Sequence, residues 1–517
     1  MTSEPAKAKQ EASGENSIAR GLKEVCAHDE TRLAGQVAGW LMRWRWPLLL
    51  ALLAFVFCEA AWLTFLTPGE ADIAHYECYG LTFWLGSPGA SLLPQVYCSF
   101  LPITTPVPAF HMLPLEYPPL TIVLFSLPLL APLPDYALVF ALLMTLGAGL
   151  IYWLLARSDA RRAAPIFLLY LLLGVVGVFQ ERFDVLPSAC VLLCLLAATR
   201  GRWRLAYIAL AFGVLFKLYP LVMLPALFLA EQRAWLSRKS VFAEWDSGQK
   251  RPRERVGHAL EQGQEQNRGE AHSGQIGHKG RAEHASWPLW AWENIRSWNW
   301  TNSLLCVGLL VVVMGVFARI NFTDAILSPL SYFLTRPPQI EALVGSFIWL
   351  GGHMGAPYAI DFGNGSLNIT SGLTRLLSPV DTALTIAGIL AVFWLQWRKR
   401  IDLAQSLTGL VCVLIVTGKV FSPQYLIWLI PLLAYISARG QTNRLWMVAW
   451  AVISLLTTLI YIFYYSHMPD PLKASLVVQT LPGFFELVAL RNLLLAVTTV
   501  AFFFGWWGVR GTARVQD

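Results

Sequence analysis

Residues 136–156 read YALVFALLMTLGAGLIYWLLA, without one charge, and Arg157, Arg161 and Arg162 follow at once. Twenty-one apolar residues make a helix of about 31 Å at 1.5 Å per residue, the thickness of a bilayer core. The basic cluster behind them is how the positive-inside rule marks a cytoplasmic end. Runs of this kind recur along the chain. Composition agrees: 56% of 517 residues are hydrophobic and 14% charged, with 22 Trp and 28 Phe, against a globular norm of about 25% charged. Unpaired backbone groups are too expensive in hydrocarbon for such runs to be anything but helices. The expected fold class is therefore all-α, a polytopic transmembrane helical protein.

Working outward, Pro47 to Leu66 reads as the first span, its start held inside by Arg43 and Arg45. Residues 1–46 read as a polar, disordered cytoplasmic segment, with the first apolar run too deep for a cleavable signal. An N-terminal transmembrane module over 47–230 contains a first external loop, 67–117, rich in Pro and aromatic residues. Pro118 to Pro134 is apolar but broken by prolines. A full crossing there would put Arg157 to Arg162 outside, so a partial or re-entrant segment is expected. Ala164 to Phe179 runs out and Val185 to Ala198 returns to Arg200, Arg202 and Arg204. Leu205 to Ala230 is apolar around Lys217-Leu218-Tyr219-Pro220, where Pro220 predicts a helix break.

Residues 231–297 change character to Gly, Gln, Glu, His and Arg, and read as a cytoplasmic, low-complexity, disordered insertion. The C-terminal module, 298–517, carries a long external loop over 321–379 and spans from Thr382, Leu403, Leu426, Leu445 and Asn492. Trp44-Arg45-Trp46 and Trp394 to Trp397 suit the interfacial belt. In all, about 11–13 spans are expected at about 20 residues each. The net charge of +7 lies in short clusters between apolar runs, which argues for topology and against a nucleic-acid partner.

With that topology the remaining charges converge. Asp72, His75, Glu77, Glu116, Arg182, Asp184, Lys217, Arg336, Glu341, Lys419 and Gln424 all fall at external ends of runs or in external loops. Charges beside hydrocarbon are functional candidates by default. Each also has a plainer reading. Asp72 can cap a helix, Arg182 and Asp184 can form a structural ion pair, and Lys217 can snorkel. Glu116 before two prolines can end an extended segment, and Arg336 and Lys419 can be ordinary loop charges. His75, Glu77 and His111 lack metal-ligand spacing. Cys78 and Cys98 both lie in the first external loop, and an oxidising exterior makes them a candidate disulfide.

Five motifs in order resemble glycosyltransferase family 87, of the GT-C superfamily. They are Asp72 with Tyr76 and Tyr79; Glu116-Tyr117-Pro118-Pro119-Leu120; Arg182-Phe183-Asp184 followed by Lys217-Leu218-Tyr219-Pro220; Arg336-Pro337-Pro338-Gln339-Ile340-Glu341; and Lys419-Val420-Phe421-Ser422-Pro423-Gln424-Tyr425. The resemblance spans roughly Pro47 to Tyr465. It implies a transferase moving a hexose, mannose foremost, from a polyprenyl-phosphate donor to a lipid or glycan acceptor, with inversion and an active site outside a cell membrane. It also implies Asp72 as the catalytic base. Donor phosphate needs positive charge, for which Lys217, Arg336, Lys419 and Arg182 are the candidates. Glu116, Tyr117, Asp184, Tyr219, Glu341, Gln424 and Tyr425 are the candidates for sugar or acceptor contacts. No cofactor and no metal is expected, the partners being donor, acceptor and membrane lipids. A transporter or lipid-linked sugar flippase is the rival reading, with repeated halves and midplane polar sites as its mark. A polymerase or ligase using a diphosphate-linked donor is a third.

Overall fold

A computed structural model describes residues 72–101, 106–176, 178–237, 298–363, 365–465 and 471–505. The expected first span, the N-terminal segment and most of the insertion lie outside the described residues. Five helices are long and apolar enough to cross a membrane, and six shorter apolar helices accompany them. The protein is thus a polytopic helical membrane protein.

The first described helix, α1 (Asp72–Leu85), begins with a carboxylate in its first turn, where the helix dipole favours one. Within the expected loop 67–117, residues 72–85 are helical. Tyr76 decides the packing: its ring stacks at 4.5 Å on Phe125 of α2 (Thr121–Ser126). Gly86 ends α1 at φ +70°, and a Cβ there would lie 2.3 Å from the Val107 carbonyl, so only glycine fits. Cys78 and Cys98 form a disulfide that ties α1 to the turn Gln95–Cys98. Cys78→Ser should therefore lower stability by about 2–4 kcal/mol, read as a melting shift that reductant reproduces in the wild type.

Helix α3 (Tyr136–Ala156) coincides with the stretch read first. The Tyr136 hydroxyl donates to the Phe125 carbonyl at 2.9 Å, so α3 starts at the end of the bundle where Glu116 and α1 sit. Residues 118–134 therefore begin and end at that one end of the bundle, as expected of a re-entrant segment. Helices α4 (Ala163–Gly174), α5 (Val185–Thr199) and α6 (Trp203–Phe216) follow as an antiparallel series. At their far end Arg200 donates to the Arg157 carbonyl at 3.0 Å. After a 3-10 turn at Tyr219–Met223, α7 (224–237) runs back to that basic end. The disordered insertion expected from 231 is corrected here, because residues 231–237 continue the helix. Gln232 exchanges two hydrogen bonds with the Asn299 backbone, at 2.9 and 2.8 Å, closing the chain across the insertion.

Helix α8 (Thr301–Ile320) returns to the first end, where Asn321 donates to the His111 carbonyl at 3.0 Å. The expected loop 321–379 is mostly ordered: α9 (Ser328–Thr335), α10 (Leu343–His353) and the hairpin β1 (Tyr358–Gly363) and β2 (Ser366–Ser371) occupy it. The strands pair antiparallel from Tyr358↔Ser371 to Gly363↔Ser366, the one departure from an all-α chain among the described residues. Residues 338–340 run beside β2, with Ile369 N–H donating to Pro338 at 2.8 Å and Ile340 N–H to Leu367 at 3.1 Å. Then come α11 (Thr374–Trp397), α12 (Leu403–Val416), α13 (Tyr425–Ala438), α14 (Arg444–Tyr464), α15 (Pro471–Thr480) and α16 (Phe484–Phe504). The last begins earlier than the expected Asn492.

Asp402 opens α12 with a capping box, its carboxylate accepting from Gln405 N–H, and Gln441 also donates to it at 2.6 Å. These residues, with Arg439 and Asp159, sit at the basic end. Helices α4, α5, α6, α12 and α13 have 12–15 residues, about 18–22 Å each, short of a full crossing. The stretches beyond their ends, 178–184, 217–223 and 417–424, all lie at the opposite end. Non-helical backbone is tolerated at such a place only when protein covers it. Those three segments carry Arg182, Asp184, Lys217, Tyr219, Lys419 and Gln424.

Candidate active site

Lys217 is the pivot. Helix α6 stops at Phe216, and Lys217 turns to extended backbone (φ −156°, ψ 138°) before Tyr219-Pro220. The residue is 7% exposed. Its Nζ lies 2.5 Å from Asp184 Oδ1, at the start of α5. Trp428 Nε1–H donates to the same oxygen at 2.5 Å. Four rings surround the ammonium: Phe183 at 5.0 Å, Trp428 at 5.2 Å, Tyr425 at 5.7 Å and Tyr117 at 5.8 Å. Aromatic faces attract a cation most when water is excluded. Tyr219 and Tyr425 in turn stack on Trp428 at 4.2 and 4.1 Å.

Around this pivot the expected residues assemble. Arg182 pairs with Asp72, which ties the turn before α5 to the first turn of α1. Arg336 caps α9, donates to Ser366 Oγ at 2.8 Å and lies 5.0 Å over the Tyr332 ring. Glu116 is half-buried and lies within electrostatic reach of both Arg336 and Lys217. Asp72, Glu116 and Asp184 thus face Arg182, Lys217 and Arg336, three acids against three bases.

Burial pushes the Glu116 carboxyl above its usual range, opposed by Arg336, Lys217 and hydrogen bonds from Tyr117 and Tyr332. Protonating Glu116 removes one negative charge and leaves the cluster net positive. An anionic ligand is therefore expected to bind more tightly as pH falls through that raised pKa. A pH profile of polyprenyl-phosphate binding checks this, and Glu116→Gln should hold the tight limb at all pH and flatten the profile.

Three expected residues stand apart. Glu341 was expected to contact sugar or acceptor, but its carboxylate is occupied by Arg491 Nη1 at 2.9 Å and by the Tyr465 hydroxyl at 2.5 Å. Lys419 enters through its backbone, its carbonyl accepting from Gln339 N–H at 2.9 Å, while its side-chain charge acts on Asp381. Gln424, before α13, keeps a buried side-chain oxygen without a hydrogen bond. Trp428, Tyr332 and Arg491 escaped sequence reasoning. Trp428 sits one helical turn past Tyr425, and Arg491 is a lone cation in the apolar run 484–504, a signal that was legible. Among the described residues no group of three or more His, Cys, Asp or Glu is placed to hold a metal.

A charged, aromatic-walled site thus stands at one end of an apolar helix bundle. Residues 115–243, which hold Glu116, Arg182, Asp184 and Lys217, match the model of Glycosyltransferase family 87. The match covers 129 of the 517 residues. No curated protein matches the chain. Among solved structures, the chain is similar to ArnT from Cupriavidus metallidurans bound to undecaprenyl phosphate, with 14% identity and a TM-score of 0.39. That alignment covers 89% of this chain and 78% of that one. The apo form of the same protein gives 15% identity and a TM-score of 0.35, over 92% and 78%.

Proposed function

We propose that the protein transfers a hexose, mannose on the family resemblance, from a polyprenyl-phosphate donor to a hydroxyl of a lipid or glycan acceptor. The observation that carries the reading is the buried Lys217–Asp184 pair inside its aromatic wall, with Arg182 and Arg336 beside it. The acceptor oxygen bonds to the anomeric carbon as the bond from that carbon to the phosphate oxygen breaks. The hydroxyl proton passes to the Asp72 carboxylate, and polyprenyl phosphate departs with the bonding pair, so the sugar inverts. Lys217, Arg336 and Arg182 stabilise the charge growing on the leaving phosphate. Arg182 holds Asp72. Donor phosphate competes for that guanidinium, which frees Asp72 to act as base.

Tyr117, Tyr219 and Tyr425 offer ring faces to the sugar, and the Gln424 oxygen accepts from one of its hydroxyls. Lys419 supports the phosphate side through its segment, and Glu341 holds rather than touches. No metal takes part in this scheme. Arg157, Arg200 and Arg439 lie at the end opposite the site, and by the positive-inside rule this supports a cytoplasmic N-terminus and a site at the outer face of a cell membrane.

Sugar transfer from labelled polyprenyl-phosphate mannose by purified protein in lipid tests the reading. Label in a hydroxyl acceptor with release of polyprenyl phosphate is the expected result. No transfer across several donors and acceptors would overturn it and favour a transporter.

A further inference from the structure

Arg491 lies in the second turn of α16, wholly enclosed at 0% exposure. Its Nη1 donates to Glu341 Oε2 at 2.9 Å and its Nη2 to the Glu341 carbonyl at 2.7 Å. Nε and Nη2 also reach Asn492 Oδ1 at 3.2 and 3.1 Å. The guanidinium carbon lies 4.2 Å over the Phe421 ring. The neighbouring Asn492 donates to the Glu341 carbonyl at 3.0 Å and to Ser346 Oγ at 2.8 Å.

These contacts have a common direction. Glu341 ends the segment that begins at Arg336, and Phe421 stands two residues after Lys419. The two segments already touch through Gln339 N–H and the Lys419 carbonyl. One buried fork therefore grips both segments on their inner side, while Arg336 points to the charged cluster on the other.

We propose that Arg491 is a positioning residue for donor phosphate: it touches no substrate and sets the placement of the Arg336 and Lys419 segments against each other. The inference rests on the phosphate reading of Arg336 and Lys419 given above. A planar fork serving a carboxylate, a carbonyl and a ring at once is work a lysine cannot copy. A buried ion pair by itself is weak evidence for stability, so the discriminating readout is donor recognition rather than folding.

The test compares wild type, Arg491→Lys and Tyr465→Phe in lipid, by steady-state transfer from polyprenyl-phosphate mannose and by polyprenyl-phosphate binding. Arg491→Lys is expected to raise donor KM about tenfold with a smaller fall in kcat, because the Arg336 it misplaces binds donor phosphate and also stabilises the charge that grows on it. Where that variant does not assemble, Tyr465→Phe decides, with an expected rise in donor KM of about threefold. An unchanged donor KM, or a fall in kcat alone, would overturn the inference. Wild type that binds polyprenyl phosphate no more tightly than the variant would overturn this inference and leave the phosphate reading standing. Wild type that neither transfers nor binds would overturn both.

Discussion

Asp72→Asn is expected to lower kcat for sugar transfer by about 10²–10⁴-fold, the range for loss of a general base, without raising donor KM. The isosteric amide is chosen because Asn and Asp are equally good at helix starts. A purely capping role for Asp72 at the head of α1 would survive this change, and a proton-accepting role would not. The substitution also removes the negative charge that holds Arg182, so donor phosphate should bind at least as well as before. Initial rates over donor concentration separate the two parameters. Full activity in the variant would move the base elsewhere, with Glu116 and Asp184 next in order.

Lys217→Met is expected to be the most damaging single change to the fold. Asp184 is fully buried, and its partners through Oδ1 are the Lys217 ammonium and the Trp428 indole. Removing the cation strands a buried carboxylate, at a cost of about 3–5 kcal/mol. Lys217→Met with Asp184→Asn should recover most of that loss, since the amide oxygen still accepts from Trp428 and no charge is left alone. Transfer should stay about 10²–10³-fold down in both, because phosphate stabilisation leaves with the ammonium. Thermal melting in detergent beside the transfer assay tells the two effects apart. Recovery of transfer with stability would mean that Lys217 is structural only.

Parts of this architecture were open to reading from residue order alone. Residues 136–156 are apolar over a full bilayer length and end on arginines, so length and charge define that span without help. Pro220 broke its helix where a missing N–H requires it, and Lys217 was thereby flagged. Other parts resisted. The stretch 72–85 looked like a loop, because its helix is defined by packing of Tyr76 on Phe125 rather than by a period in the chain. The hairpin 358–371 was not read from the sequence; its strands pair with each other, and residues 338–340 then run beside β2.

For the site, residue order determined which side chains gather at one end of the bundle, since alternating crossings and basic clusters sort every charge to one face or the other. Residue order could not decide which charge meets which. The partnership of Asp72 with Arg182, and the capture of Glu341 by Arg491 across 150 positions, were decided by tertiary structure alone. Periodicity and propensity act over a few residues, whereas a buried charge chooses its partner by proximity in the folded chain, where an unpaired ion is the costliest alternative.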